Sequence, residues 1–143
     1  MFLGEFGHSM DSKGRVVMPR KFRAELAQGC VITKGQERCL YVFPMEQWGH
    51  EAARVQKLPR TDRRARNFSR SFFASAADQS LDKQGRVQIP EALRAYAGLE
   101  KDVTVVGVAD RIELWSSTVW HDAAAEADEY YAGIEEVLSG EGI

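Results

Sequence analysis

One segment of this chain occurs twice, and the repeat constrains the fold more than any single residue does. The segment at 11–24 returns at 82–95, an offset of 71 positions. Both copies read Asp-x-x-Gly-Arg-Val-x-x-Pro-x-x-x-Arg, and matches continue at an offset of 72 as far as Trp48 and Trp120. A chain built from two related units presents two related surfaces, which is more typical of recognition than of one catalytic pocket.

Each copy predicts the same order of elements, a β-turn-β-α-β-β unit followed by a further helix. The α position is a helix at 19–27 in the first copy and at 90–97 in the second, each begun by proline and ended by glycine. The predicted strands are too short for one unit to bury a core alone. We therefore expect an α+β, β-rich fold in which the two units pair about a pseudo-two-fold axis and form a small barrel with flanking helices.

The pattern divides the chain into three parts. Residues 1–57 are expected to form the first unit with its trailing helix, and residues 76–143 the second unit with a long acidic C-terminal helix reaching about Leu138. Residues 58–75 form a basic connector that we expect to be helical, because it carries five arginines and ends in an aromatic pair.

The net charge of −2 conceals a strong asymmetry. Residues 1–73 hold 14 Lys and Arg against 7 Asp and Glu, whereas residues 74–143 hold 5 against 14. Such a split indicates a polyanion-binding half and an acidic half. Two other interpretations stay open, namely that both are solvated faces or that opposite faces attract each other in an oligomer.

The repeated turn carries the most informative chemistry. Asp suits the first position of a type I turn and Gly its last. The arginine that follows, Arg15 or Arg86, is the first residue of a strand. The aspartate four residues earlier, Asp11 or Asp82, can accept a bond from the arginine and so fix the direction of its guanidinium. A flat, permanently charged guanidinium fits phosphate oxygens or the edge of guanine. One such turn could be a structural ion pair, but two in register favour recognition.

The doubled motif resembles the MraZ family of bacterial transcriptional regulators, and the resemblance covers essentially the whole chain. It implies two AbrB-like swapped-hairpin units, assembly into rings, and recognition of short DNA repeats upstream of the division and cell-wall gene cluster. The DNA-binding residues that it implies are Asp11 and Arg15 in the first copy and Asp82 and Arg86 in the second.

Further basic residues flank these motifs. They give a phosphate-binding character to the first copy above all, where Arg20 and Lys21 correspond to Glu91 and Ala92 of the second. The complete predicted DNA-binding set is Asp11, Lys13, Arg15, Arg20, Lys21, Asp82, Lys83 and Arg86. Arg23 and Arg94 are either further contacts or structural partners of acidic groups, and the basic run at 54–70 is a solvated face or a surface between subunits.

Residue patterns for catalysis, metal binding or cofactor binding are weak. His8, His50 and His121 lie far apart, and Cys30 and Cys39 lack zinc-ligand spacing, so we expect small buried cysteines and no metal. No glycine-rich phosphate loop is present. Trp48 and Trp120 are expected to be packing anchors. We expect neither an enzyme nor a cofactor-binding protein.

The sequence therefore predicts a sequence-specific repressor that binds double-stranded promoter DNA as a ring-shaped homo-oligomer. An N-terminus without a signal peptide and the lack of a long apolar stretch predict a cytoplasmic, nucleoid-associated protein without a membrane partner. Two alternatives remain: an AbrB-like antitoxin whose acidic end caps a toxin, or a ring-forming assembly protein whose acidic half docks a protein partner.

Overall fold

Eight strands and four helices make up most of residues 1–134, the part of the chain that the computed structural model describes. The strands are β1 (Phe2–Ser9), β2 (Arg15–Val17), β3 (Cys30–Lys34), β4 (Leu40–Pro44), β5 (Ala77–Gln79), β6 (Arg86–Gln88), β7 (Asp102–Ala109) and β8 (Arg111–Ser116). The helices are α1 (Met45–Gln56), α2 (Arg63–Ser75), α3 (Glu91–Ala97) and α4 (Ser117–Gly133). The predicted α+β, β-rich class is confirmed.

Strands of the two copies are interleaved within one antiparallel sheet. Its six strands lie in the order β1-β7-β8-β4-β3-β5, so β1 of the first copy pairs with β7 of the second, and β5 of the second pairs with β3 of the first. Strands β2 and β6 form a separate two-stranded unit, the β2–β6 ribbon. Within residues 1–134, β1 and β5 remain the edges of the large sheet, so these pairings do not close the predicted barrel.

A core shared by both copies lies between the large sheet and the β2–β6 ribbon. Val42, Ile112 and Leu114 of the sheet are fully buried there, together with Val16 and Val87 of the ribbon. Each apolar side chain removed from water in this layer contributes about 1.5–3 kcal/mol to folding. Neither copy could bury these side chains by itself, which explains why the unit is used twice.

The opposite face of the large sheet is covered by helices. Alternation along the strands turns Tyr41, Phe43 and Trp115 toward this face, where α1, α2 and α4 pack. The Thr33 hydroxyl of β3 donates to the main-chain carbonyl of Phe72 in α2 at 2.7 Å. Helices α1, α2 and α4 therefore lie on the side of the sheet away from the ribbon, whereas α3 packs into the core on the ribbon side through Leu93 and Ala97.

The predicted helix at 19–27 in the first copy is wrong. A short 3-10 turn covers Arg20–Phe22, and the chain continues in further turns, whereas the corresponding segment of the second copy forms α3 as predicted. Arg20 and Lys21 place positive charge at the positive end of the helix dipole, while Glu91 places a favourable negative charge there. The basic residues that suit an anion-binding role thus disfavour a regular helix.

The remaining helices follow the prediction with shifted ends. The basic connector is helical only from Arg63, where the Asp62 side chain caps α2 by accepting from the main-chain N–H of Arg64 at 2.8 Å and of Ala65 at 3.4 Å. Helix α4 is described as far as Gly133, and the predicted end near Leu138 lies outside the described residues.

Candidate nucleic-acid interface

The turn of the first copy holds its arginine through one aspartate. Oδ1 of Asp11 accepts from the main-chain N–H groups of Lys13 and Arg15, both at 2.9 Å. Oδ2 accepts from Nε of Arg15 at 2.8 Å, and the N–H of Gly14 closes the turn on the Asp11 carbonyl at 3.0 Å. The aspartate therefore binds both the turn and the guanidinium, as the sequence predicts.

The second copy repeats this geometry. Oδ1 of Asp82 accepts from the main-chain N–H groups of Gln84 and Arg86 at 2.9 Å, and Oδ2 accepts from Nε of Arg86 at 2.7 Å. In both turns the bond to aspartate uses Nε. A guanidinium has four further N–H donors on its terminal nitrogens. Those donors can bind an external acceptor while the aspartate keeps the group oriented.

The β2–β6 ribbon brings the two turns together on one exposed face. Val16 pairs with Val87 at its centre and both are buried, so the residues on either side of them face away from the core. Nη1 of Arg86 lies 3.8 Å from Oδ2 of Asp11, the acceptor that also binds Arg15. The two arginines therefore belong to a single surface.

Two residues of this face were missed by sequence reasoning. Gln88 lies opposite Arg15 in the ribbon, and Val17 lies opposite Arg86. Nε2 of Gln88 donates to the carbonyl of Lys13 at 2.6 Å, which ties one strand to the turn of the other copy. The two-residue period of the strands would have placed both side chains beside the arginines, had the pairing of β2 with β6 been known.

Arg23 and Arg94 form crossed contacts between the copies, because each packs against the turn of the other copy. Each donates from Nε to a main-chain carbonyl of its own copy, at 3.1 and 3.0 Å respectively. Each guanidinium packs on the glycine of the other copy's turn: a methyl group on Gly85 would lie 2.3 Å from Nε of Arg23, and one on Gly14 would lie 2.8 Å from Nε of Arg94. Neither forms an ion pair within residues 1–134, so carbonyls and glycines take the place of acidic partners.

The flanking cations differ in how they are held. Lys13 and Lys83 lie exposed within the turns, and Arg20 is exposed three residues after the end of β2. The ammonium group of Lys21 instead lies 5.1 Å from the centre of the Phe6 ring, a cation–π contact with β1. Lys21 thus has a local structural partner as well as its charge.

Both aspartates are held in their charged form. The pKa of Asp11 is lowered from its ordinary value of 3.8, chiefly by the N–H of Arg15 and further by the guanidinium. The pKa of Asp82 is lowered in the same way by Arg86. A carboxyl whose pKa is depressed on folding stabilises the fold above its unfolded value, and this contribution is lost as the pH falls through the folded value.

We therefore expect the two turns to loosen only below pH 3.8. Carboxyl carbon NMR titration should give Asp11 and Asp82 pKa values below 3.8. In Arg15→Ala the pKa of Asp11 should rise while staying below the ordinary value, because the main-chain N–H is kept. The pKa of Asp82 serves as the internal control and should not change; an unaltered pKa of Asp11 would contradict the role given to the guanidinium.

Other kinds of site find no support in the described residues. Within residues 1–134 no group of three His, Cys, Asp or Glu side chains is placed to hold a metal ion, and no helix there is long and apolar enough to cross a membrane. Cys30 and Cys39 are buried, as predicted, and form no disulfide; burial raises the pKa of Cys30 to about 11. Trp48 stacks on Phe72, and Trp120 packs against Trp115, so both tryptophans have a packing role.

A protein-family model described as "MraZ protein, putative antitoxin-like" matches residues 1–71 and again residues 72–136. The chain belongs to the MraZ family. Proteins called transcriptional regulator MraZ are 52% identical in Salinispora tropica (98% of this chain and 99% of the relative) and 46% identical in Halothermothrix orenii (100% of both). A third, from Acetivibrio thermocellus, is 44% identical over 100% of both chains. The resemblance carried by the doubled motif is confirmed, and each MraZ match contains one of the two Asp–Arg turns.

Proposed function

We propose that this MraZ-family chain is a transcriptional regulator that binds double-stranded DNA through the exposed face of the β2–β6 ribbon. The observation that carries the proposal is the pair of aspartate-oriented arginines, Arg15 and Arg86, on one ribbon. The names of the relatives in three organisms support the regulatory role.

A two-stranded ribbon has the width that the major groove of B-DNA admits. The terminal nitrogens of Arg15 and Arg86 can form paired bonds to guanine or to a phosphate. Gln88 beside them carries an amide that can pair with adenine, while Val17 offers an apolar surface to a thymine methyl group. Asp11 and Asp82 would act by orienting the arginines, since a carboxylate repels phosphate. Lys13, Lys83, Arg20 and Lys21 would add attraction for the phosphate backbone.

The finer parts of the proposal follow the family. The chain would repress the division and cell-wall gene cluster, including its own operon, as a cytoplasmic and nucleoid-associated protein. It would bind repeated promoter elements as a ring, because several weak contacts joined in one particle gain affinity by avidity. The interleaved strands support the interpretation of residues 1–57 and 76–143 as two AbrB-like swapped-hairpin units joined by the basic connector.

The test is a binding titration on a fragment from the chain's own upstream region. Combining Arg15→Ala with Arg86→Ala should weaken binding by at least about tenfold. The slope of the logarithm of the binding constant against the logarithm of the salt concentration should also become shallower, by about 0.9 for each phosphate that is no longer neutralised. Lys57→Ala, at the end of α1 on the helical side of the sheet, is the control and should bind as the unaltered chain does.

A second control separates charge from shape. Arg15→Lys with Arg86→Lys keeps both charges but removes the planar fork, so it should retain the salt dependence and lose sequence preference. If the double alanine variant matches the unaltered chain in affinity and in salt dependence, the proposal that the ribbon binds DNA is wrong. Docking of a protein partner by the acidic half would then be the function to test.

A further inference from the structure

Among residues 1–134, no other element packs on the C-terminal part of α4. Every residue from Ala125 to Gly133, the α4 tail, is exposed, and Tyr130 and Tyr131 are 66% and 86% exposed. Short helices are marginally stable in water unless a face is buried. The segment 117–134 contains four acidic residues and no lysine or arginine. This helix therefore presents aromatic and acidic side chains for which its own chain supplies no cover among the described residues.

A groove of matching chemistry lies between α1, α2 and strand β4. Its volume is about 690 Å³. Aromatic and aliphatic side chains form most of its floor, and Phe68 is 40% exposed there. Three arginines stand at its rim, Arg54, Arg64 and Arg111, together with the carboxylates of Glu51 and Asp62.

Two of the rim arginines, Arg54 and Arg64, can exchange partners at low cost, whereas Arg111 is bonded to Glu113 at 2.8 Å. Arg54 is bonded to Glu51 at 2.9 Å and Arg64 lies 3.6 Å from Asp62, but the two arginine side chains are 75% and 94% exposed. Exposed pairs of this kind contribute little stability. The other charged residues of α2 are all arginines, so the groove and the helix beside it carry an excess of positive charge for an acidic occupant.

The α4 tail and the groove are different surfaces of one chain. Helix α4 packs on β7 and β8, and none of its described residues lines the groove. A contact between two different surfaces on identical chains is head-to-tail, and it generates either a closed ring or an open filament.

We infer that the α4 tail of one copy docks in the groove between α1 and α2 of the next copy. Glu126, Glu129 and Tyr130 share one side of the helix, because they are spaced three and four residues apart. The tyrosine would cover the apolar floor, where aromatic anchors contribute most to binding. The two carboxylates would meet Arg54 and Arg64 at the rim. The inference rests on the proposed ring and assigns the acidic and basic halves their roles in it.

Charge reversal on the full chain tests this pairing. Glu126→Arg with Glu129→Arg reverses the tail, and Arg54→Glu with Arg64→Glu reverses the groove. Each variant should raise the dissociation constant of the assembly by at least about tenfold in sedimentation velocity over a concentration series. Glu100→Arg and Lys101→Glu reverse exposed charges outside both surfaces and should leave the assembly unchanged.

Restoration of the assembly is the decisive readout. An equimolar mixture of the tail and groove variants has complementary surfaces at every contact, so it should regain the mass of the unaltered assembly. A mixture that stays dissociated would overturn the inference, as would single variants that keep the original mass. A monomeric unaltered chain would overturn both the docking and the ring, whereas the DNA contact of Arg15 and Arg86 would still be judged by its own titration.

Discussion

Phe22→Ala should lower the free energy of unfolding by about 3–5 kcal/mol, the range found when a buried aromatic side chain is truncated in a core. Phe22 is 1% exposed, and its ring meets those of Phe2 and Phe6 edge-to-face at 5.1 and 5.4 Å between centroids. The truncation would leave a cavity between the 3-10 turn at Arg20–Phe22 and strand β1. Urea unfolding followed by circular dichroism measures the change in stability.

Two further variants serve as controls for Phe22→Ala. Leu3→Ala changes a side chain of β1 that is 57% exposed, so the change should stay within about 0.5 kcal/mol. Phe22→Leu installs the residue that occupies the equivalent position of the second copy, Leu93, which is equally buried. It should cost less than half as much as Phe22→Ala because most of the volume is kept. A destabilisation below about 1 kcal/mol for Phe22→Ala would show that the site collapses around the gap.

Local chemistry made much of the candidate site predictable. Asp, Gly and Arg at fixed spacing define the turn, and both turns form the bonds expected of them, including the one from the guanidinium to Asp11. The hairpin of β3 and β4 and that of β7 and β8 also follow from short apolar runs separated by turn residues. These features depend on residues close together in sequence, where pattern and structure are linked directly.

Long-range pairing could not be predicted in the same way. Nothing local indicates that β1 pairs with β7 or that β2 pairs with β6, because strand alternation defines faces but not neighbours. The ribbon is what places Gln88 and Val17 beside the arginines, so these residues were missed together with it. The first-copy helix failed for a different reason: Phe22 and Leu26 are buried, as their helical spacing predicts, but Arg20 and Lys21 at the start of the segment disfavour a regular helix.

The crossed packing of arginine on glycine leads to the second large effect. Gly85 has a φ of 78°, in the left-handed region, and a methyl group there would also meet the Arg23 guanidinium. The backbone strain of a non-glycine residue costs about 1–2 kcal/mol. Displacing Arg23 from its carbonyl removes a charge-assisted bond as well, which costs about 1.5–3 kcal/mol. We expect Gly85→Ala to lower the free energy of unfolding by about 2.5–5 kcal/mol in urea titrations.

Gly98→Ala is a matched control for the backbone part of this cost. Gly98 also has a positive φ, 61°, but a methyl group there would meet nothing within 4 Å, so it should cost only the strain. A double-mutant cycle with Arg23→Ala isolates the rest, because removing the guanidinium relieves the clash and the double variant should be destabilised by less than the sum of the two single variants. Strict additivity, or equal destabilisation by Gly85→Ala and Gly98→Ala, would mean that Arg23 moves aside freely. In that case the pairing of β2 with β6, and not the contact of arginine with glycine, would fix how the two turns are oriented relative to each other.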